Sequence, residues 1–168
     1  SMQTLIPRFN TERMLKEYYK NIYIPTALRQ QELYFDKHRV ARDLAEWKQK
    51  LPMRFSSLRL LEVTIKGIQG DTIPVDEPLE VSVRIDPGKM VPEEIMVEML
   101  IGKKDHAGFS GKPECVPLQL EKEISKGILT FSCSYKIKKN GVFTYGVRVF
   151  PHHPNMAAKY ETNLIYWG

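Results

Sequence analysis

Cysteine is scarce in this 168-residue chain, which has only Cys115 and Cys133. Two are too few for a disulfide framework and, by themselves, too few for a zinc site. Each sits in a strand-like stretch where cysteine packs as a small hydrophobe, so both read as reduced thiols of a cytoplasmic protein. Long hydrophobic runs are also missing: no stretch approaches the roughly 18 residues of a membrane span. The opening Ser1-Met2-Gln3-Thr4 has neither the basic region nor the apolar core of a secretory signal, so neither a membrane nor export is expected. A strong excess of one charge is lacking too, with 25 Lys and Arg against 20 Asp and Glu. Up to Arg54 there are 11 basic and 6 acidic residues, and beyond it 14 of each. So small an excess, confined to the first third, does not make a nucleic-acid-binding surface. It reads instead as a helix face that meets something acidic. Internal repeats and low-complexity segments are absent.

What is present is enough apolar residue, 42%, for one soluble domain with an appendage, since a chain of this length buries roughly 70% of its unfolded surface. From Thr11 to Tyr23, Met14, Leu15, Tyr18, Tyr19 and Ile22 recur at helical spacing, with Asn10 or Thr11 available as a cap. A second helix is predicted from Pro25, where Val40, Leu44, Trp47 and Leu51 keep the period until Pro52 stops it. Its polar middle, Gln30 to His38, leaves open one long helix or two broken by a bend.

After Pro52 the period drops to two. Leu61, Val63 and Ile65; Leu79, Val81, Val83 and Ile85; and Ile95, Val97, Met99 and Ile101 each alternate with polar neighbours. Val116 to Leu120, Leu129 to Ile137, Val142 to Phe150 and Leu164 to Trp167 complete about seven strands. Turn chemistry lies at Asp86-Pro87-Gly88, Gly111-Lys112-Pro113 and Asn140-Gly141, the last predicting a two-residue hairpin between its flanking strands. The fold class is therefore α+β. A helical segment over residues 1–54 precedes an immunoglobulin-like antiparallel β-sandwich over 55–168, with Leu61, Val63, Val81, Val83, Val97, Phe131, Tyr145 and Val147 in its core.

Catalytic signatures are thin. The stretch Ile65 to Ile73 contains the glycine spacing of an RNA-clamping loop, but a strand precedes it and Asp71, Asp76, Glu77 and Glu80 follow, which would repel phosphates. His152-His153 has no partner at metal-ligand spacing, and adjacent residues of an extended segment point apart. Gly108-Phe109-Ser110-Gly111 lacks the spacing of a nucleophile elbow. Asp76-Glu77 and Glu93-Glu94 lie on turn-like stretches where a solvated face is expected. Phe143, Tyr145, Tyr166 and Trp167 suit a sugar-stacking platform, but alternation assigns Phe143 and Tyr145 to the core. No residue is singled out as catalytic, cofactor-binding or metal-binding.

The two ends carry a resemblance. Phe9-Asn10-Thr11-Glu12-Arg13-Met14-Leu15-Lys16-Glu17-Tyr18-Tyr19, then Tyr23-Ile24-Pro25, resembles a stretch near the C-terminus of bacterial and archaeal α-glucan phosphorylases of the short, maltodextrin-phosphorylase-like type. The run from Gly141 to Pro154, with Glu161 and Leu164 to Trp167, is similar to the same proteins' ending. The resemblance implies a parent enzyme that splits α-1,4-glucans with inorganic phosphate, releasing glucose 1-phosphate, with pyridoxal phosphate held by a lysine upstream of the matching region. It implies no cofactor in this chain, which would be a non-catalytic C-terminal piece acting as a structural or docking module. Its expected partners are the parent's catalytic domains in cis, an α-glucan, and a second copy through the helices. The alternative is an autonomous carbohydrate- or protein-binding sandwich.

Overall fold

The computed structural model describes residues 10–68, 77–106, 108–121, 127–138 and 140–168. It divides into two compact units, one ending at Trp47 and the other running from Lys48 to Gly168.

In the first unit, helix α1 (Thr11–Tyr18) starts where the Asn10 side chain accepts a hydrogen bond from the Arg13 N–H at 2.8 Å, satisfying a free first-turn donor. It passes into a single π-helical turn, Tyr19–Tyr23, and then into α2 (Ile24–Phe55). The bend that the polar middle left open is real. Phe35 is extended, and Asp36, Lys37 and His38 take φ of 51°, 53° and 64°. That left-handed region costs a non-glycine residue roughly 1–2 kcal/mol. Around the bend, Arg39 pairs with Asp36 at 2.8 Å and Arg42 donates to the Lys37 carbonyl at 2.8 Å.

Pro52 does not end α2, which continues to Phe55. Leu51, Phe55 and Leu58 are all buried, and the Ser56 N–H still reaches the Pro52 carbonyl at 3.0 Å. Burial on both sides of the proline outweighs the one backbone donor it removes.

The second unit is antiparallel throughout: β1 (Arg59–Lys66), β2 (Pro78–Asp86), β3 (Ile95–Asp105), β4 (Gly108–Phe109), β5 (Glu114–Leu120), β6 (Leu129–Lys136), β7 (Phe143–Pro151) and β8 (Tyr166–Trp167). The ladder runs β1-β2-β6-β5-β3-β7-β8, with β4 paired to β3. Strand β5 serves both halves of the sandwich, since residues 114–118 pair with β3 and 119–120 with β6. At the far edges, Leu60 of β1 lies so close to Gly168 that a Cβ there would come within 2.5 Å of it. The inward rows of β2, β3, β6 and β7 are the predicted ones: Val81, Val83, Val97, Phe131 and Val147 are buried, whereas Val63 on β1 is only half-buried.

Three expectations fail here. Leu61 is exposed, because the β1–β2 register slips between Leu60 and Glu62; the extra residue of a bulge loses its place in the inward row. Tyr145 is 53% exposed. It shares the row of Val147 and Val149, but full burial along that row begins only at Val147. Asn140-Gly141 forms no hairpin, since β6 pairs with β2 and β5 while β7 pairs with β3 and β8. The chain crosses there from one half of the sandwich to the other.

Candidate functional site

Three features of the structure have chemical content. The first lies on the outer face of β3 and β7. Glu98, 1% exposed, stands opposite Arg148 in the ladder. Arg148 donates to its carboxylate, as do the Lys159 ammonium and, at 2.6 Å, the Tyr160 hydroxyl. The Arg148 guanidinium also sits 4.6 Å from the Tyr160 ring centroid, within cation–π range. Burial alone would push the Glu98 carboxyl up, but the hydrogen bonds from Lys159, Tyr160 and Arg148 outweigh it and hold the group below its ordinary value. For Lys159, burial works against the charge, and the bond to Glu98 more than restores it. Saturated in this way, the cluster ties the segment after β7 onto the sheet. Nearby, Glu161 pairs with Lys48, which holds its carboxyl low.

The second feature is a cleft of about 370 Å³ at the end of the sandwich, lined by Glu114, Ser134, Tyr135, Lys136, Ile137, Lys138 and Phe143. The Tyr135 hydroxyl donates to the Glu114 carboxylate at 2.8 Å. Burial and that carboxylate push the phenol up to about 12, so it remains a donor at neutral pH.

The third belongs to the first unit. Met14, Tyr18 and Ile22 line one groove of the helix, and Leu15, Tyr19 and Tyr23 another. All six are about half exposed or more. The π turn, Tyr19–Tyr23, falls within both rows. The second helical stripe behaves differently: Leu44, Trp47 and Leu51 are buried.

The residues singled out from the sequence are scattered. His152 is exposed, His153 is half-buried, and the His153 Nδ1 accepts from the Asn155 N–H at 3.1 Å. Among the described residues no group of three or more His, Cys, Asp or Glu is placed to hold a metal. Gly108-Phe109 is the short β4, and the Ser110 N–H is engaged by the Lys103 carbonyl at 2.7 Å. Glu94 is tied to Arg54, 3.1 Å away, and Glu77 is exposed. Gln69 to Ile73, Asp71 and Asp76 lie outside the described residues, as does Phe9. Of the aromatic platform, Tyr145, Tyr166 and Trp167 are exposed and Phe143 is half-buried. Cys115 and Cys133 are free thiols. No described helix is long and apolar enough to cross a membrane. Sequence reasoning missed Glu98, Glu114 and Tyr135. The signal for Glu98 was Met96 and Leu100, which put apolar residues on the face assigned to solvent.

Pyridoxal phosphate does not fit the described residues. Every described lysine is exposed or half-buried, and the half-buried one, Lys48, is paired with Glu161; a Schiff-base lysine needs an enclosed pocket.

Comparison with known proteins adds a family. A family model described as the glycogen phosphorylase C-terminal domain matches residues 56–168. The chain is similar to a maltodextrin phosphorylase of Thermococcus litoralis, 26% identical over 170 residues that cover 99% of this chain and 19% of that protein. It is also similar to glycogen phosphorylases of Mycobacterium bovis and Mycobacterium tuberculosis, each 24% identical over 165 residues, covering 98% of this chain and 19% of theirs. The chain thus spans about a fifth of the length of these curated relatives.

Proposed function

The chain belongs to the glycogen phosphorylase C-terminal domain family, and from that premise we propose that it is a non-catalytic structural and docking module of an α-glucan phosphorylase. In this reading the parent converts α-1,4-glucan and phosphate to glucose 1-phosphate in the cytoplasm. Pyridoxal phosphate and the catalytic residues belong to the other four-fifths. The helical segment, residues 1–54, closes the catalytic region, and 55–168 form an immunoglobulin-like sandwich, as the family match from residue 56 supports.

One observation carries the docking role. The first unit exposes Met14, Tyr18, Ile22, Leu15, Tyr19 and Tyr23 along one short stretch of helix. A contiguous apolar patch of several hundred Å² is unusual on a soluble monomer and marks an interaction surface. In the parent that surface meets the catalytic domains in cis. On the isolated chain the same patch pairs with its own copy, because a symmetric dimer lets one surface satisfy itself. An α-glucan is a further ligand in this reading, supported by the substrates that name the relatives.

Tyr18→Lys combined with Ile22→Lys in the longer phosphorylase tests it. Both side chains are about half exposed here, so the isolated chain should keep its fold while the parent loses thermal stability and phosphorolysis. An unchanged parent would overturn the docking role.

A further inference from the structure

The mouth of the sandwich departs from the rule that its inward rows otherwise obey. Along β6, Phe131, Cys133 and Tyr135 stand opposite Val83, Val81 and Leu79, all three buried, so Tyr135 belongs to the inward row. On β5, Glu114 stands opposite the buried Ile101 and shares a row with the buried Leu118. Phe143 starts the inward row that ends in Val147 and Val149. A purely structural sandwich fills such positions with aliphatic side chains from both sheets. Here they hold a carboxylate, a phenol and a phenyl ring around open space.

Each part suits one class of ligand. The half-buried rings of Tyr135 and Phe143 offer apolar faces on which the CH groups of a pyranose can pack. Glu114 uses one oxygen to accept from Tyr135 and has no further protein partner among the described residues. Its second oxygen accepts from none of the described residues and suits sugar hydroxyls, the stronger for being charged. Ser134, Lys136 and Lys138 also line it. The volume of about 370 Å³ falls within the range of small-ligand sites.

We propose that this cleft is a subsite for a short α-glucan chain, held between Tyr135 and Phe143 and anchored through Glu114. The inference rests on the glucan reading above and places it on the sandwich, away from the parent's chemistry. A segment of glucan held there would tether a polymeric substrate to the enzyme and raise its local concentration.

The test is a titration of the 168-residue chain followed by amide NMR, with maltoheptaose, cellohexaose and glucose 1-phosphate as probes. Maltoheptaose is expected to give saturable shifts at Glu114, Ser134 to Lys136 and Phe143, with dissociation in the millimolar range. Glu114→Ala, at an exposed position, and Tyr135→Ala should each weaken it about tenfold or more, while Trp167→Ala leaves it unchanged. Should Tyr135→Ala disturb the fold, Glu114→Ala still decides. No saturable shift to about 20 mM, shifts centred on Tyr166 and Trp167, equal binding of cellohexaose, or binding of glucose 1-phosphate alone would each overturn the proposal. None of those results touches the docking role, which is read from the parent's stability.

Discussion

Glu98 and Arg148 face each other across the β3–β7 ladder, and the Arg148 Nε donates to a carboxylate that is 1% exposed. Lys159 and Tyr160 complete its shell. Removing the carboxylate strands the largely buried Arg148 guanidinium, while the more exposed Lys159 ammonium can turn to water, so Glu98→Ala should cost about 3 kcal/mol, seen as a lower midpoint in urea. A change of a few tenths would mean that the cluster is solvated.

The same group sets an acid limit. The folded-state carboxyl of Glu98 lies below its ordinary value of 4.5, so in the window between the two the unfolded chain binds more protons. Stability from this source is therefore fully present above 4.5 and is lost as the pH falls through the folded value. Glu161 acts in the same direction. Urea midpoints measured from pH 7 downward should fall in that window, and the gap between the native chain and Glu98→Gln should narrow there. A constant gap would contradict the assignment.

Gly88 offers a sharp backbone test. Its φ is +56°, and a Cβ there would lie 2.5 Å from the Ser57 carbonyl oxygen and 2.8 Å from its carbon. Both are backbone atoms that cannot swing away. Gly88→Ala should cost at least about 2 kcal/mol, whereas Gly111→Ala, with φ +81° but nothing within 4 Å, should cost less. Equal melting temperatures for the two variants would refute the close approach.

The helix patch predicts self-association of the chain by itself. Light scattering should report a dimer that Tyr18→Lys with Ile22→Lys converts to monomer, because a buried charge without a partner opposes the interface. A monomer at high concentration would show that the half-exposed row of Met14, Tyr18 and Ile22 does not pair with itself.

The helical and alternating periods made the elements and much of the core legible. Val81, Val83 and Val97 sit where period two puts them. What escaped was information held between elements. The bulge that turns Leu61 outward is a mismatch in length between two strands, invisible in either alone. Asn140-Gly141 has local hairpin chemistry, yet the partners of β6 and β7 are decided by the whole ladder. Glu98 looked like a solvent-facing residue until the chain after β7 covered its face. Glu114 and Tyr135 come from strands joined by no local signal, and only the meeting of the two halves brings them to 2.8 Å.

The central claim is that this region contributes no chemistry of its own to phosphorolysis. The direct measurement is glucose 1-phosphate formed from maltodextrin and inorganic phosphate, assayed on the isolated chain and on the proposed parent phosphorylase, both supplied with pyridoxal phosphate. The account predicts product from the longer protein and none from the chain, with no absorbance band of bound cofactor on the chain. Glucose 1-phosphate released by the 168-residue chain alone would contradict it.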